Sequence, residues 1–177
     1  MLNNFKILNK ISEEKIRQQV AKIADSINNE YKGKELVLVG VLNGAFIFLA
    51  DLVRQITIPL KVDFVRVASY GSKSVSNGEI KFTKDIEMSV KGKSVILVED
   101  IVDTGITLSY LVRQIEKKDP ESVKICALIN KLERREKAVE VSYSGFEINK
   151  GFVVGYGLDY NEDYRYLPYI LSFEIVD

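Results

Sequence analysis

Apolar positions along the chain switch between two spacings. Ile16, Val20, Ile23, Ala24 and Ile27 recur at helical intervals behind Ser12, a residue suited to an N-cap, and predict a helix that Gly33 ends. Residues 35–42 form a short, nearly continuous apolar run, which predicts a buried strand. Asn43-Gly44 breaks it, and Ala45, Leu49, Leu52, Val53 and Ile56 then share one face of a second helix. Strands are predicted at 60–69, at 94–98 after a turn at Gly92, at 123–130 and at 152–156. A third helix is predicted from Thr107, with Leu108, Leu111, Val112 and Ile115 in phase, ending before Asp119-Pro120. Buried strands alternating with amphipathic helices predict an α/β domain with a mostly parallel, twisted sheet flanked by helices. At 177 residues, with no repeat, low-complexity tract or Pro-rich linker, the chain is expected to form one domain over residues 1–177.

Residues 70–78, Tyr-Gly-Ser-Lys-Ser-Val-Ser-Asn-Gly, break this pattern. They are small and polar and hold almost no apolar anchor, so both a long hairpin loop and a mobile lid over a site fit them.

Composition narrows the chemistry. Lys plus Arg and Asp plus Glu are 25 each, so no overall charge draws the chain to nucleic acid or anionic lipid; a local anion site is still allowed. There is no histidine, which removes the Ser-His-Asp triad and His-ligated zinc and leaves proton transfer to carboxylates, Lys, Tyr or water. The single cysteine, Cys126, excludes an intrachain disulfide, and its place in the apolar run 123–129 predicts a buried thiol rather than a reactive one. Residues 1–10 lack the apolar stretch of a signal peptide, and no apolar run approaches the ~20 residues of a membrane span. A soluble, cytoplasmic protein is expected.

The chemistry concentrates in residues 95–108. A buried strand leads into Glu99 and Asp100, then a loop of Asp103, Thr104, Gly105, Ile106 and Thr107, then a helix. Ligands of open α/β sheets sit beyond the carboxyl ends of the strands. Gly105 allows close approach of an anion, the helix start offers amides to a phosphate, and the carboxylates suit sugar hydroxyls or hydrated magnesium. A solvated loop with Thr107 as a helix cap, or a generic phosphate loop, fits the same residues. The Gly-Lys-Ser/Thr ending of a Walker loop and the G-x-G-x-x-G dinucleotide fingerprint are both absent here.

The stretch Val98-Glu99-Asp100-Ile101-Val102-Asp103-Thr104-Gly105-Ile106-Thr107-Leu108 resembles the donor-binding signature of type I phosphoribosyltransferases. Four further segments resemble its hypoxanthine-guanine branch: Val41-Leu42-Asn43-Gly44-Ala45, Ser69-Tyr70-Gly71, Ile129-Asn130-Lys131, and Phe152 through Glu162 with Arg165. The last of these, Phe-Val-Val-Gly-Tyr-Gly-Leu-Asp-Tyr-Asn-Glu, is the most specific.

The resemblance implies the fold of that family, with a small hood formed by the N- and C-terminal segments. It implies purine salvage, in which 5-phosphoribosyl 1-diphosphate (PRPP) gives its ribosyl phosphate to a 6-oxopurine, with Mg2+ as cofactor and a homodimer or homotetramer as the assembly. Glu99 and Asp100 would contact the ribose hydroxyls, and with Asp159 would serve magnesium. Asp103, Thr104, Gly105, Ile106 and Thr107 would cradle the 5-phosphate, with Asp103 also facing purine nitrogen 7 as the catalytic acid or base. Leu42, Asn43, Gly44 and Arg165 would meet pyrophosphate, the first three in a loop that often carries a non-proline cis peptide. Lys131, Phe152, Val153 and Leu158 would form the purine site, Lys131 at the 6-oxo group and Phe152 stacked on the ring. Ser69 and Tyr70 would belong to the lid.

Read without the resemblance, Lys131 equally suits a charged surface run and Phe152 a core position. Asn43 stands where Lys or Arg is common in the family, which leaves a backbone role there but removes a charge. A xanthine-type enzyme is the nearest alternative; Lys131 and the Phe152 segment argue against adenine and orotate as acceptors. An RNA-binding regulator on the same fold would need a basic face that the charge balance does not provide.

Overall fold

The computed structural model describes residues 5–70 and 79–175. Two sheets organise it. The larger has six strands in the order β4 (Glu79–Lys84), β3 (Leu60–Tyr70), β2 (Leu36–Leu42), β5 (Ser94–Val102), β6 (Ser122–Asn130) and β7 (Tyr143–Glu147). All its pairings are parallel except that of β3 with the edge strand β4.

The apolar runs explain the layering. Strand β2 is buried along its length up to Leu42, and its side chains alternate between two cores. Leu36 and Leu38 pack with Ile96, Val98, Cys126 and Leu128 beneath helices α1 (Glu13–Glu30) and α2 (Phe46–Gln55). Val37, Val39 and Val41 pack on the opposite face with helix α3 (Ile106–Glu116) and with Ile86 and Val90. A parallel sheet covered on both faces results, as the unbroken apolar strands require. Ser12 caps α1 by accepting from the Lys15 amide at 3.4 Å, and the five apolar residues predicted to line that helix are all buried. Cys126 is buried as a free thiol, and burial pushes its ionisation up, so it is a core residue.

The second sheet is antiparallel, in the order β1 (Phe5–Ile11), β9 (Ile170–Ile175), β8 (Phe152–Val154). It joins the two ends of the chain into the expected hood. Strands β1, β4, β7 and β9 carry no clear sequence signal, because each is an edge strand or part of the small sheet and gains its burial from distant partners. Of the boundaries that differ from expectation, three bear on the site. Strand β5 runs to Val102, so Glu99 remains in its ladder, paired with Ala127 of β6. Strand β8 stops at Val154, because Gly155, Tyr156 and Gly157 have φ of 95°, 52° and 102° and turn the chain. Helix α3 starts one residue early, with Gly105 in the left-handed region as its N-cap.

The expected lid, residues 70–78, lies outside the described residues except for the backbone of Tyr70 at the end of β3, and the side chains of residues 69 and 70 are likewise outside them. Among the described residues, no helix is long and apolar enough to cross a membrane.

Candidate active site

The site is assembled at the carboxyl ends of β2, β5 and β6, beneath the hood. Glu99 and Asp100 are half-buried near the carboxyl end of β5. Glu99 Oε2 is buried with no hydrogen-bond partner. Burial, reinforced by the neighbouring charge of Asp100, pushes its carboxyl well above the usual range. Burial also raises Asp100, to about 6, although the Ile101 amide donates to its Oδ1 at 2.8 Å and Arg165 pulls the other way. These are costly carboxylates in the unliganded protein, as expected of groups that await a partner.

The loop after β5 leads into the start of α3. The N-cap Gly105 has no side chain to cap α3, and the first turn holds no acidic residue, so the amides after Ile106 and the positive end of the helix dipole are open to a phosphate. Thr104 Oγ1 accepts from the Ile106 amide at 3.4 Å. The need for glycine at position 105 comes from the protein side of the loop: φ is 79°, and a Cβ there would lie 2.4 Å from the Lys137 carbonyl oxygen. Packing, rather than the approach of an anion, fixes that residue.

Asp103 faces the other way, into a cleft of about 550 Å³ lined by Ile101, Asp103, Lys131, Arg134, Phe152 and Val153 among others. Its Oδ1 is buried without a partner, and its Oδ2 sits 3.4 Å from Arg134 Nη1. Lys131 is only 7% exposed, so it is no surface lysine; its Nζ donates to the Gly151 carbonyl at 2.9 Å and pairs with Glu133 at 3.2 Å. Phe152 is 47% exposed, so it is no core residue; one side of its ring rests on Tyr160 and Phe173. Val153 lies on β8, which among the described residues is an edge strand with β9 as its one ladder neighbour. Leu158, expected at the purine, is buried in the main core and is absent from the cleft lining.

The third wall is the loop after β2. The Leu42-Asn43 peptide is cis, as the resemblance implies. Gly44 is wedged between two groups: a Cβ on it would lie 1.6 Å from Asp100 Oδ2, and a Cβ on Gly157 would lie 2.1 Å from the Gly44 carbonyl oxygen. The hood, this loop and the Asp100 carboxylate are therefore in contact through two missing side chains. Asn43 is exposed beside them. Arg165 donates to the Gly157 carbonyl at 2.8 Å and pairs with Asp159 at 2.8 Å and with Glu162 at 3.2 Å.

Among the described residues no three metal-ligating side chains converge on one point. Magnesium does not require that: it keeps waters and takes one or two carboxylates together with substrate oxygens. The orphaned Glu99 oxygen, and Asp100 lying within electrostatic reach of Asp159, suit such a shared site.

Nothing in the sequence marked Arg134, Glu133 or Arg135 for the site. Arg135 donates to four acceptors: the Asp103 carbonyl at 3.0 Å, the Val102 carbonyl at 3.2 Å, Asn130 Oδ1 at 2.7 Å and the Lys131 carbonyl at 3.1 Å.

Residues 9–161 match the family model described as the phosphoribosyl transferase domain. Over 160 residues the chain is 44% identical to the hypoxanthine-guanine phosphoribosyltransferase of Bacillus subtilis, covering 90% of this chain and 89% of the relative. It is 43% identical over 169 residues to the hypoxanthine phosphoribosyltransferase of Salmonella typhimurium, covering 94% and 95%. A crystal structure of a hypoxanthine phosphoribosyltransferase from Staphylococcus aureus superposes with a TM-score of 0.90 at 38% identity, covering 97% of this chain and 93% of that one.

Proposed function

The chain belongs to the phosphoribosyltransferase family, and from that premise we propose that it salvages purines by transferring the 5-phosphoribosyl group of PRPP to hypoxanthine and guanine, giving IMP or GMP and pyrophosphate. One observation carries the reading. Asp103 with its orphaned carboxylate oxygen, the buried ammonium of Lys131 and the half-exposed ring of Phe152 line a single cleft beside an uncapped helix start. An ammonium can only donate, so Lys131 selects an oxo group over an amino group at the 6-position. Phe152 offers a stacking face, and the free edge of β8 offers backbone groups to the rim of the base.

Reaction at this site joins a purine nitrogen to the anomeric carbon as the bond to pyrophosphate breaks. Asp103 Oδ1 takes the proton that the base loses at nitrogen 7, a step typically worth roughly 10²–10⁴-fold. The amides of residues 104–107 hold the 5-phosphate. Arg165 keeps N–H groups beyond those that bind Gly157, Asp159 and Glu162, and its planar fork suits the departing pyrophosphate. Glu99 and Asp100 hold the ribose hydroxyls, and their charge tolerates a cation-like ribose. Glu99, Asp100 and Asp159 would hold magnesium together with substrate oxygens, and the ion would supply charge neutralisation for the leaving group. The role of a lid against water falls to the polar segment 70–78, which lies outside the described residues apart from the backbone of Tyr70. The assembly is a homodimer or homotetramer in the cytoplasm.

A panel of hypoxanthine, guanine, xanthine, adenine and orotate with PRPP, followed by pyrophosphate release, tests the reading. Turnover of the first two, lost on chelation of magnesium, is the expected result. Xanthine as the best acceptor would favour the xanthine-type alternative. Turnover of adenine or orotate alone, or of none, would refute the reading.

A further inference from the structure

The purine cleft and the phosphate cradle draw on different strands, yet Asp103 must be placed against both a base held by Lys131 and a ribose whose 5-phosphate is held at residues 104–107. The β5–β6 ladder ties the two at its end, where the Lys131 amide donates to the Val102 carbonyl at 2.9 Å, and one side chain braces the loops beyond it. Arg135 lies on the segment after β6, and its Nε donates to the Asp103 carbonyl while its Nη2 is shared among Val102 O, Asn130 Oδ1 and Lys131 O. The same segment sends the Glu136 and Lys137 amides to the Thr104 carbonyl, each at 2.9 Å. Gly105 then packs against the Lys137 backbone so closely that no Cβ fits. Residues 131–137 therefore act as a strap across the underside of the donor loop, and Arg135 is the point where the strap meets the backbone of both Asp103 and Lys131.

We propose that Arg135 is a positioning residue that sets the distance between the Asp103 carboxylate and the base held by Lys131, without itself touching either substrate. The inference rests on the roles given above to Asp103 and Lys131. Three features support it. The guanidinium is directed at main-chain carbonyls and an amide oxygen, so it fixes backbone rather than pairing charge. Its planar fork meets these acceptors from one rigid group, which a lysine cannot reproduce. And misplacement of a reacting group by about 1 Å can cost about 10²-fold in rate, so a brace at this position has leverage on the chemical step. Arg134, one residue earlier, is exposed and, among the described residues, pairs with the Asp103 carboxylate rather than with main chain, so the two arginines are separable.

The test is a double-mutant cycle on the full enzyme at saturating PRPP and hypoxanthine. Arg135→Gln is expected to lower kcat by about 10-fold or more in the wild-type background. In an Asp103→Asn background, where no base remains to misplace, the same change is expected to cost less than about threefold. Arg135→Lys should recover part of kcat, and it carries the cycle if the glutamine variant fails to fold. Equal losses in the two backgrounds, or an unchanged kcat in a folded variant, overturn the proposal, since a merely structural arginine would behave in one of those ways. Amide exchange in the unliganded protein separates this inference from the assignment of function. Faster exchange at Glu136 and Lys137 in Arg135→Gln supports the strap even if the base panel fails, and unchanged exchange there refutes it.

Discussion

Replacement of Gly157 by alanine tests how tightly the hood is seated on the loop after β2. Two costs arise together. The φ of 102° is one that side chains rarely adopt, and the new Cβ would lie 2.1 Å from the Gly44 carbonyl oxygen, where real Cβ contacts stay beyond 3.0 Å. The backbone strain alone is worth about 1–2 kcal/mol. The clash is with main chain, which cannot swing aside as a side-chain tip can, so hood and loop must part by about 1 Å, the scale on which misplacement costs about 10²-fold in rate. Gly33→Ala supplies the control: its φ is 79°, and nothing lies within 4 Å of the added methyl. Both variants should lose about 1–2 kcal/mol or more in urea unfolding. Only Gly157→Ala should lose kcat/KM for PRPP, by about 10²-fold, because Gly44 also touches Asp100 and the displacement reaches the donor carboxylate. Wild-type kcat/KM in a Gly157→Ala enzyme that is destabilised no more than Gly33→Ala would show that the hood and the loop are not coupled.

Three other perturbations discriminate among roles. Asp103→Asn should leave PRPP affinity by calorimetry near wild type while the single-turnover rate falls by roughly 10²-fold or more; a near-normal chemical step would leave Asp103 as a loop residue only. Lys131→Gln keeps a donor but adds an acceptor and removes the charge, so the ratio of hypoxanthine to adenine turnover should fall, and an unchanged ratio would show that Lys131 does not read the 6-position. Asp100→Asn should raise the Tm of the unliganded protein at pH 8 while weakening PRPP binding. Because the folded carboxyl is pushed up to about 6, the native state holds its proton longer than the unfolded chain does; stability is therefore lost as pH rises from the ordinary carboxylate range through about 6, and the variant's advantage should grow across that window and then level off. An advantage that is independent of pH would contradict a buried, charged Asp100.

How much of this is legible in the sequence depends on where the information resides. The central sheet was written locally: residues 36–42 and 94–98 are apolar enough on both faces that only a doubly covered strand satisfies them, and Ser12 announced the helix behind it. The hood's strands β1 and β9 were visible only through resemblance, because half of β1 is exposed and its ladder partner lies more than 150 residues along the chain. Lys131 and Phe152 were ambiguous from composition for a related reason. A lysine in a charged run is ordinary, and what makes this one unusual, 7% exposure with a carbonyl on its ammonium, is supplied by Gly151 some twenty residues later.

The glycines show where sequence reasoning reached the right residue for an incomplete reason. Gly105 reads naturally as room for an anion, since a phosphate loop needs backbone amides exposed. Its side-chain direction, however, points at the strap, and the room is taken by Lys137. Gly44 and Gly157 stand in the same relation to Asp100 and to each other. The site is thus closed on its protein side by main-chain contacts that leave no space for side chains, while two of its carboxylate oxygens, Glu99 Oε2 and Asp103 Oδ1, are left without partners. Such contacts between segments far apart in sequence have no periodicity to betray them. A donor such as Arg135, whose acceptors are mostly backbone carbonyls, leaves no pattern in the residue types it braces, and so it emerges only once β5 and β6 lie side by side.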